Sequence, residues 1–136
     1  MKKELDEKLC AKYPEIFKDR HAPMTQTCMC WGFDIGDGWY NIVDDLCAAL
    51  MIICKRDNIP PPIAIQVKEK FGGLRFYLYG ANDAMHEAVN NAENESYHTC
   101  EECGKSGVVR EGGWVRIRCD EHSDGKEPNA NFWSNE

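Results

Sequence analysis

The sequence predicts an α+β domain that is closed at its C-terminal end by a zinc-binding unit. Three observations predict it: stretches with apolar residues at helical spacing, two alternating strands around a glycine turn, and two C-terminal pairs of metal-ligand residues. We expect a small antiparallel sheet flanked by about three helices, with a zinc-ribbon or treble-clef-like unit. The expected boundaries are an α+β domain over 1–97, a zinc unit packed on it over 98–122, and a flexible tail over 123–136.

Length and composition agree with one small globular protein. The chain has 136 residues, of which 43% are hydrophobic, enough for an ordinary core. Charged residues stand where the apolar segment of a secretory signal would lie, and the longest apolar run, over 46–54, is about half a membrane span. We therefore expect a cytoplasmic protein with no membrane partner, whose eight cysteines are reduced or bound to metal.

The formal net charge of −7 argues against non-specific binding to nucleic acid. An acidic surface favours solubility. It would mimic the charge of a nucleic-acid duplex only if rows of carboxylates lined one face. A local basic patch is the alternative, because four cations fall in the zinc segment: Lys105, Arg110, Arg116 and Arg118.

The first helix is predicted over 2–18, because apolar residues recur at every fourth position and Pro14 interrupts the pattern. After a loop, the apolar segment 28–35 resembles a strand. A stronger helix is predicted over 39–55, between a glycine-rich break and three consecutive prolines. Its apolar residues follow the i, i+3, i+4, i+7 rule: Trp39, Ile42, Val43, Leu46, Leu50, Ile53 and Cys54.

A β-hairpin is predicted over 63–70 and 74–79, because apolar and polar residues alternate on both sides of Gly72-Gly73. A third helix, capped by Asn82 or Asp83, would run to about residue 97. Inside the zinc segment, a second hairpin would join 108–109 to 114–117 through a turn at Gly112-Gly113.

The zinc unit is predicted from C-x2-C and C-x2-H pairs separated by fifteen residues. Each pair can hold one metal ion from a tight turn, and three thiolates with one imidazole match the tetrahedral preference of structural Zn2+. Cysteines left free in a reduced protein are the alternative. The predicted ligands of one structural zinc ion are Cys100, Cys103, Cys119 and His122.

Four motifs occur in order between about residues 14 and 122: Met29-Cys-Trp-Gly32, Gly36-Asp-Gly-Trp-Tyr40, Gln66-Val-Lys-Glu-Lys-Phe-Gly-Gly-Leu-Arg-Phe-Tyr77 and the C-terminal cysteine block. Together they resemble a family of small, largely uncharacterised phage and prophage proteins. The resemblance implies a viral or prophage origin, and it brings no activity or catalytic residues with it. Relatives end the zinc block in cysteine, so that His122 is a departure from the family pattern.

Two further cysteine pairs need an interpretation. Cys28 and Cys30 would bind a second metal with Cys10 and His21, or they are inert thiols; the single-residue spacer favours inert thiols. Cys47 and Cys54 stand seven residues apart on one helix face, which indicates core packing.

Two groups of carboxylates would suit a hydrolase that uses a divalent metal. One comprises Asp34, Asp37, Asp44 and Asp45; the other comprises Asp83 and Glu87 with His86. In the alternative, Asp37 caps the following helix and the others lie on wet helix faces. No His or Lys at a suitable spacing completes a catalytic set around the first group, and the residues of the second group are ones that any helix surface offers. Both observations favour the alternative.

The predicted hairpin places cationic and aromatic residues on its non-core face: Lys68, Lys70, Arg75, Tyr77 and Tyr79. Such a face would hold a nucleotide by stacking and charge-assisted hydrogen bonds, or it would form a protein-binding hot spot. Alternatively, a helix covers the face and Arg75 pairs with a carboxylate. Phe132 and Trp133 in the tail would dock onto the domain or insert into a partner.

The sequence therefore favours a non-enzymatic, zinc-containing binding protein of phage type. It would act in the host cytoplasm by occluding a host defence or regulatory protein, or by sequestering a nucleotide signal. The alternatives are a nucleic-acid-binding regulator that uses the basic residues of the zinc unit and a small metal-dependent hydrolase that uses the Asp34 to Asp45 carboxylates.

Overall fold

The computed structural model describes residues 1–133, and the last three residues of the predicted tail, 134–136, lie outside the described part. The class is α+β, as predicted, with three α-helices and two small sheets. The helices and strands are, in chain order, α1 (Lys3–Lys12), β1 (Phe33–Asp34), α2 (Tyr40–Arg56), β2 (Ile63–Lys70), β3 (Gly73–Tyr79), α3 (Asp83–Ser96), β4 (Val108–Arg110) and β5 (Arg116–Arg118).

The larger sheet has the strand order β1-β2-β3. The β2 and β3 strands pair antiparallel, as predicted, but β1 joins β2 in parallel, so that the sheet is mixed. Only two residues of the predicted strand 28–35 belong to β1; Cys28–Trp31 forms a 3-10 helix instead. The reason is local, because the Thr27 side chain accepts a hydrogen bond from Met29 N–H (3.1 Å) and caps that turn.

The β2–β3 hairpin differs from the prediction in two details. Its turn consists of Phe71 and Gly72, because Lys70 already pairs with Gly73. The pairing also shifts between Ala64 and Gln66, so that the predicted alternation of Ile63, Ile65 and Val67 is wrong at its first two positions. Ala64 and Val67 are fully buried, whereas Ile65 is exposed, because a β-bulge adds one residue to the strand.

The helices pack around a core centred on α2, whose inner face is buried as predicted; Cys47 and Cys54 are among its core residues. Asn82 caps α3 by accepting a hydrogen bond from Met85 N–H (3.0 Å). The first helix ends at Lys12, earlier than predicted, because a residue that precedes proline avoids helical geometry. Phe17 is nevertheless buried, with its ring centroid 4.9 Å from that of Phe33.

The C-terminal unit consists of the β4–β5 hairpin and the metal-ligand turns around it. Beyond it, the chain runs back along β4, where Asn129 N–H donates to Val109 O (2.8 Å) and Glu111 N–H donates to Glu127 O (2.8 Å). We call residues 126–133 the C-terminal strap. Among residues 1–133, no helix combines the length and apolar composition needed to cross a membrane.

Candidate metal centre

The four predicted metal ligands lie together at the end of the C-terminal unit. The Sγ atoms of Cys100, Cys103 and Cys119 and a ring nitrogen of His122 all lie within 4.8 Å of one another. The Cys103–Cys119 Sγ distance is 3.7 Å, and the His122 Nδ1 atom lies 3.2 Å from Cys119 Sγ and 3.8 Å from Cys100 Sγ. The cluster is compatible with one bound metal ion.

The distances can be compared with those around a tetrahedral zinc ion. Bonds of about 2.3 Å to sulfur and about 2.0 Å to nitrogen place two sulfur ligands about 3.8 Å apart, and sulfur and nitrogen ligands about 3.5 Å apart. The sulfur–sulfur distance agrees closely, and the two sulfur–nitrogen distances lie on either side of the expected value. These three pairs therefore have spacings close to those of a tetrahedral shell, and the other ligand atoms lie within 4.8 Å of one another.

The first pair of ligands is held by a tight backbone turn. Gly104 N–H donates to Cys100 O (2.9 Å), and Cys100 N–H donates to Lys105 O (2.7 Å). Gly104 has a φ of +82°, which residues with a Cβ atom rarely adopt. The glycine that follows the C-x2-C pair is therefore required by the turn, as its place in the motif indicates.

The second ligand pair, Cys119 and His122, has shifted pKa values. Burial alone would raise the pKa of the Cys119 thiol, but hydrogen bonds from His122 and the neighbouring thiols lower it to about 6. The same hydrogen bonds, that to Cys119 first, raise the pKa of His122. Both shifts favour a thiolate at Cys119, the form in which cysteine binds a metal ion.

The Gly36-Asp37-Gly38-Trp39 motif packs against the first ligand turn. Gly38 N–H donates to Glu101 O (2.7 Å), and the indole N–H of the buried Trp39 donates to Thr99 O (2.9 Å). A Cβ atom at Gly38 would overlap the carbonyl oxygen of Cys100. The glycine therefore permits close backbone contact between the start of α2 and the metal centre.

A buried ion pair supports the same contact. Arg118 Nη1 lies 3.4 Å from Glu101 Oε1, and the other carboxylate oxygen of Glu101 accepts from Gly36 N–H (2.9 Å). Both charged side chains are buried. Sequence reasoning missed this pair, although Glu101 lies inside the C-x2-C motif and Arg118 directly precedes the second ligand pair.

The expected basic patch is wrong for two of its four residues. Arg110 is buried and donates to Arg118 O (3.1 Å) and to Asp120 Oδ1 (3.0 Å), and Arg118 is held by Glu101. Lys105 and Arg116 are exposed. Two guanidinium groups are thus committed to holding the C-terminal unit together, which removes much of the support for binding a phosphate backbone.

The carboxylates of the hydrolase alternative do not converge on a common point. Within residues 1–133, the one group of three or more Cys, His, Asp or Glu side chains that could share a metal is the Cys3His cluster. Asp44 is bound by Lys12 Nζ (2.8 Å) and Tyr13 OH (2.7 Å), which lower its pKa even though its burial opposes this. Asp37 accepts from Lys2 N–H (2.7 Å), so the expectation that it caps α2 is wrong.

The second candidate metal site, at Cys28 and Cys30, is not assembled either. Cys28 and Cys30 form no group with Cys10 and His21 in the described part of the chain. Cys28 is exposed, Cys30 Sγ lies 3.3 Å from Thr27 O, and Cys10 Sγ lies 3.6 Å from Asp6 Oδ1.

The predicted cationic and aromatic residues of the hairpin do share one face. Lys68 pairs with Arg75, Gln66 with Tyr77, and Ile63 with Tyr79; paired residues of antiparallel strands lie on the same face. Tyr77 and Tyr79 are exposed, but the alternative holds for Arg75, whose Nη1 lies 2.8 Å from Glu93 Oε2 of α3. We call the side chains of Lys68, Lys70, Tyr77 and Tyr79 the hairpin face.

The two aromatic residues of the strap dock onto the domain. The Trp133 ring lies 5.3 Å from that of Tyr97 and 4.8 Å from that of Phe132, while the Tyr97 ring fills the space above Gly73. Trp133 still has 44% of its surface exposed. Tyr97 therefore covers Gly73 at the turn end of the hairpin and the strap rings pack on Tyr97, while Tyr77 and Tyr79 remain exposed.

Compared with models of known protein families, with curated proteins and with solved structures, the chain shows no significant match.

Proposed function

We propose that this chain is a zinc-stabilised binding protein without catalytic activity. The observation that supports the proposal is the closed Cys3His cluster, in which four protein side chains supply a complete tetrahedral shell. A catalytic zinc ion keeps one position for water or substrate, and this set of ligands leaves none. The soft thiolates favour Zn2+ over Mg2+ or Ca2+, which prefer oxygen ligands.

Native mass spectrometry of the freshly expressed protein tests the zinc proposal. We expect one zinc ion per chain, lost together with the fold of the C-terminal unit on treatment with a strong chelator. Substitution with Co2+ should give a tetrahedral absorption spectrum that added anions do not change. A metal-free folded protein, or an exchangeable water on the metal, would contradict the structural role.

We further propose that the protein acts in the host cytoplasm as a phage-type inhibitor that occludes a host defence or regulatory factor. Three observations support it: the four motifs that resemble phage and prophage proteins, the net charge of −7 on a small chain, and a solvent-facing pair of tyrosines. Tyrosine is enriched among the residues that dominate protein–protein binding. The hairpin face is therefore the proposed contact surface.

Affinity capture from a host extract tests this contact surface. Tyr77→Ser with Tyr79→Ser should abolish capture of the partner while zinc content stays unchanged, because both side chains face solvent. Ile52→Ser is the control, since Ile52 is an exposed apolar side chain of α2 and not of the sheet. Equal capture by the double variant and the wild type would contradict the assignment of the hairpin face.

A further inference from the structure

Two hairpin tips form an open cleft beside the metal-containing unit. The cleft has a volume of about 330 Å3 and is lined by Glu69, Lys70, Phe71, Gly113, Trp114 and Val115. Its two sides are the β2–β3 turn and the β4–β5 connection, which touch where Val115 approaches Gly72. This volume falls at the lower end of the range of small-molecule sites.

The two aromatic residues of the cleft are mostly exposed to solvent, which is unusual for side chains that are so large and apolar. Phe71 is 67% exposed and Trp114 is 66% exposed. Phe71 also has a φ of +53°, which is unfavourable for a bulky residue, and Gly72 follows with +86°. A two-residue turn with positive φ at both positions favours Asn-Gly. A phenylalanine at this position lowers stability through its backbone and regains little by burial of its ring, so a contact outside the fold accounts for it best.

Two cations hold positions over these rings. Lys70 Nζ lies 5.7 Å from the Phe71 ring centroid, and the Arg116 guanidinium lies 5.6 Å from that of Trp114. Within residues 1–133, neither cation forms an ion pair with a carboxylate. Both remain free to bind an anion that lies beside a stacked ring.

A carboxylate completes the polar groups of the cleft. Glu69 Oε2 accepts from Gly72 N–H (2.8 Å), and Oε1 has no hydrogen-bond partner in the described part of the chain. Beyond Trp114, an adjoining cavity of about 150 Å3 adds Lys126 together with Glu111 and Asp124. Arg110 and Arg118 also line this cavity but are paired with Asp120 and Glu101, so the remaining cations and carboxylates are balanced. This suits a ligand that carries both phosphate oxygens and N–H donors.

We propose that this cleft binds a nucleoside phosphate. Its base stacks on Phe71 and Trp114, its N–H groups donate to Glu69, and its phosphate accepts from Lys70 and Arg116. The net charge of −7 and the balanced local charge disfavour a nucleic-acid strand, which needs a continuous cationic track. The inference rests on the proposed binding role, and it assigns the nucleotide to a site distinct from the hairpin tyrosines.

Isothermal titration of the full, metal-loaded chain with each of the four common nucleoside monophosphates tests the cleft. Binding should be weaker for the matching nucleoside, because it lacks the phosphate, and undetectable for inorganic phosphate, which cannot stack. Trp114→Leu should weaken binding about tenfold or more, because the stacking surface is lost. Trp31→Leu should leave it unchanged, since that equally exposed ring lines a different cavity.

Phe71→Asn distinguishes a loss of ligand binding from a loss of stability. It should raise the melting temperature by about 2–5 °C, because asparagine suits the turn, yet weaken binding about tenfold. Phe71→Tyr keeps the ring and should bind within about threefold of the wild type. No binding by a sample whose zinc content is complete, or equal binding by Trp114→Leu and the wild type, would overturn the cleft. Neither result would contradict the zinc-stabilised binding role. That role is tested separately, by the metal content of the protein and by capture of a partner.

Discussion

The turn that carries the first two metal ligands and the turn between β2 and β3 both contain residues with positive φ. At the metal centre the residue is Gly104, which adopts this conformation without strain; in the hairpin it is Phe71, which does not. The first turn lies against the core through Gly38 and Trp39, whereas Phe71 projects into solvent. The difference teaches that the metal turn meets its backbone requirement without strain, whereas the hairpin tip keeps a strained residue, which the proposed cleft ligand would explain.

The largest effect is expected from loss of a metal ligand. Cys119→Ser should abolish binding of one metal equivalent and unfold the C-terminal unit, because structural zinc sites contribute on the order of 10 kcal/mol to folding. Metal analysis and circular dichroism would measure both. His122→Cys is the control, since it completes a four-cysteine site and should retain the metal. A Cys119→Ser protein with full metal content and unchanged melting would contradict the assignment.

The next effect tests the contact between α2 and the metal centre. Gly38→Ala should lower the free energy of unfolding by about 2–3 kcal/mol, because the added methyl group meets the Cys100 carbonyl oxygen. Gly113→Ala is the matched control; its Cβ would have no atom within 4 Å. Denaturant titration of the metal-loaded proteins would compare them, and equal stability of the two variants would show that the contact is looser than described.

A smaller effect is expected at the β3 edge of the larger sheet. Leu74 N–H of β3 donates to the buried Ser96 Oγ of α3 (3.0 Å), which fastens the helix to this edge strand. Ser96→Ala leaves that buried amide without its partner and should lower stability by about 1–2 kcal/mol. Ser106→Ala, at an exposed position, should change it by less than about 0.5 kcal/mol. A neutral Ser96→Ala would mean that water replaces the hydroxyl group.

The smallest effect has the opposite sign. Phe71→Asn should raise the free energy of unfolding by about 1 kcal/mol, because it relieves the left-handed strain and the ring that is lost is mostly exposed. Phe71→Tyr retains both features and should be neutral. A destabilised Phe71→Asn would show that the ring supports the fold, and the contrast between the two turns would then disappear.

Sequence reasoning predicted the elements that local patterns define. The helical spacing of apolar residues located α2 and α3, and the alternation of apolar and polar residues located β2 and β3. The spacing of the cysteines and the histidine identified all four residues of the metal cluster. Each of these signals lies within about twenty consecutive residues. The class of the fold followed from them, because amphipathic helices and a half-buried hairpin can bury their apolar faces only against one another.

The features that the sequence did not predict depend on contacts between distant residues. The parallel pairing of Phe33 with Val67 and the burial of Arg110 beneath the strap join segments that no local pattern connects. The β-bulge at Ile65 adds one residue to a regular alternation, which a period-two pattern cannot show. The Gly36-Asp37-Gly38 break was recognised as a helix boundary, but its contact with Glu101 is visible only in the fold.

Amide hydrogen exchange before and after removal of the metal tests most directly whether the metal centre holds both parts of the chain together. The amide of Gly38 donates to Glu101 O, and that of Gly36 donates to the Glu101 carboxylate. We predict that chelation exposes these two amides together with those of residues 99–122, because all of them depend on the same metal-ligand turns. Faster exchange confined to 99–122, with Gly36 and Gly38 still protected, would contradict this account.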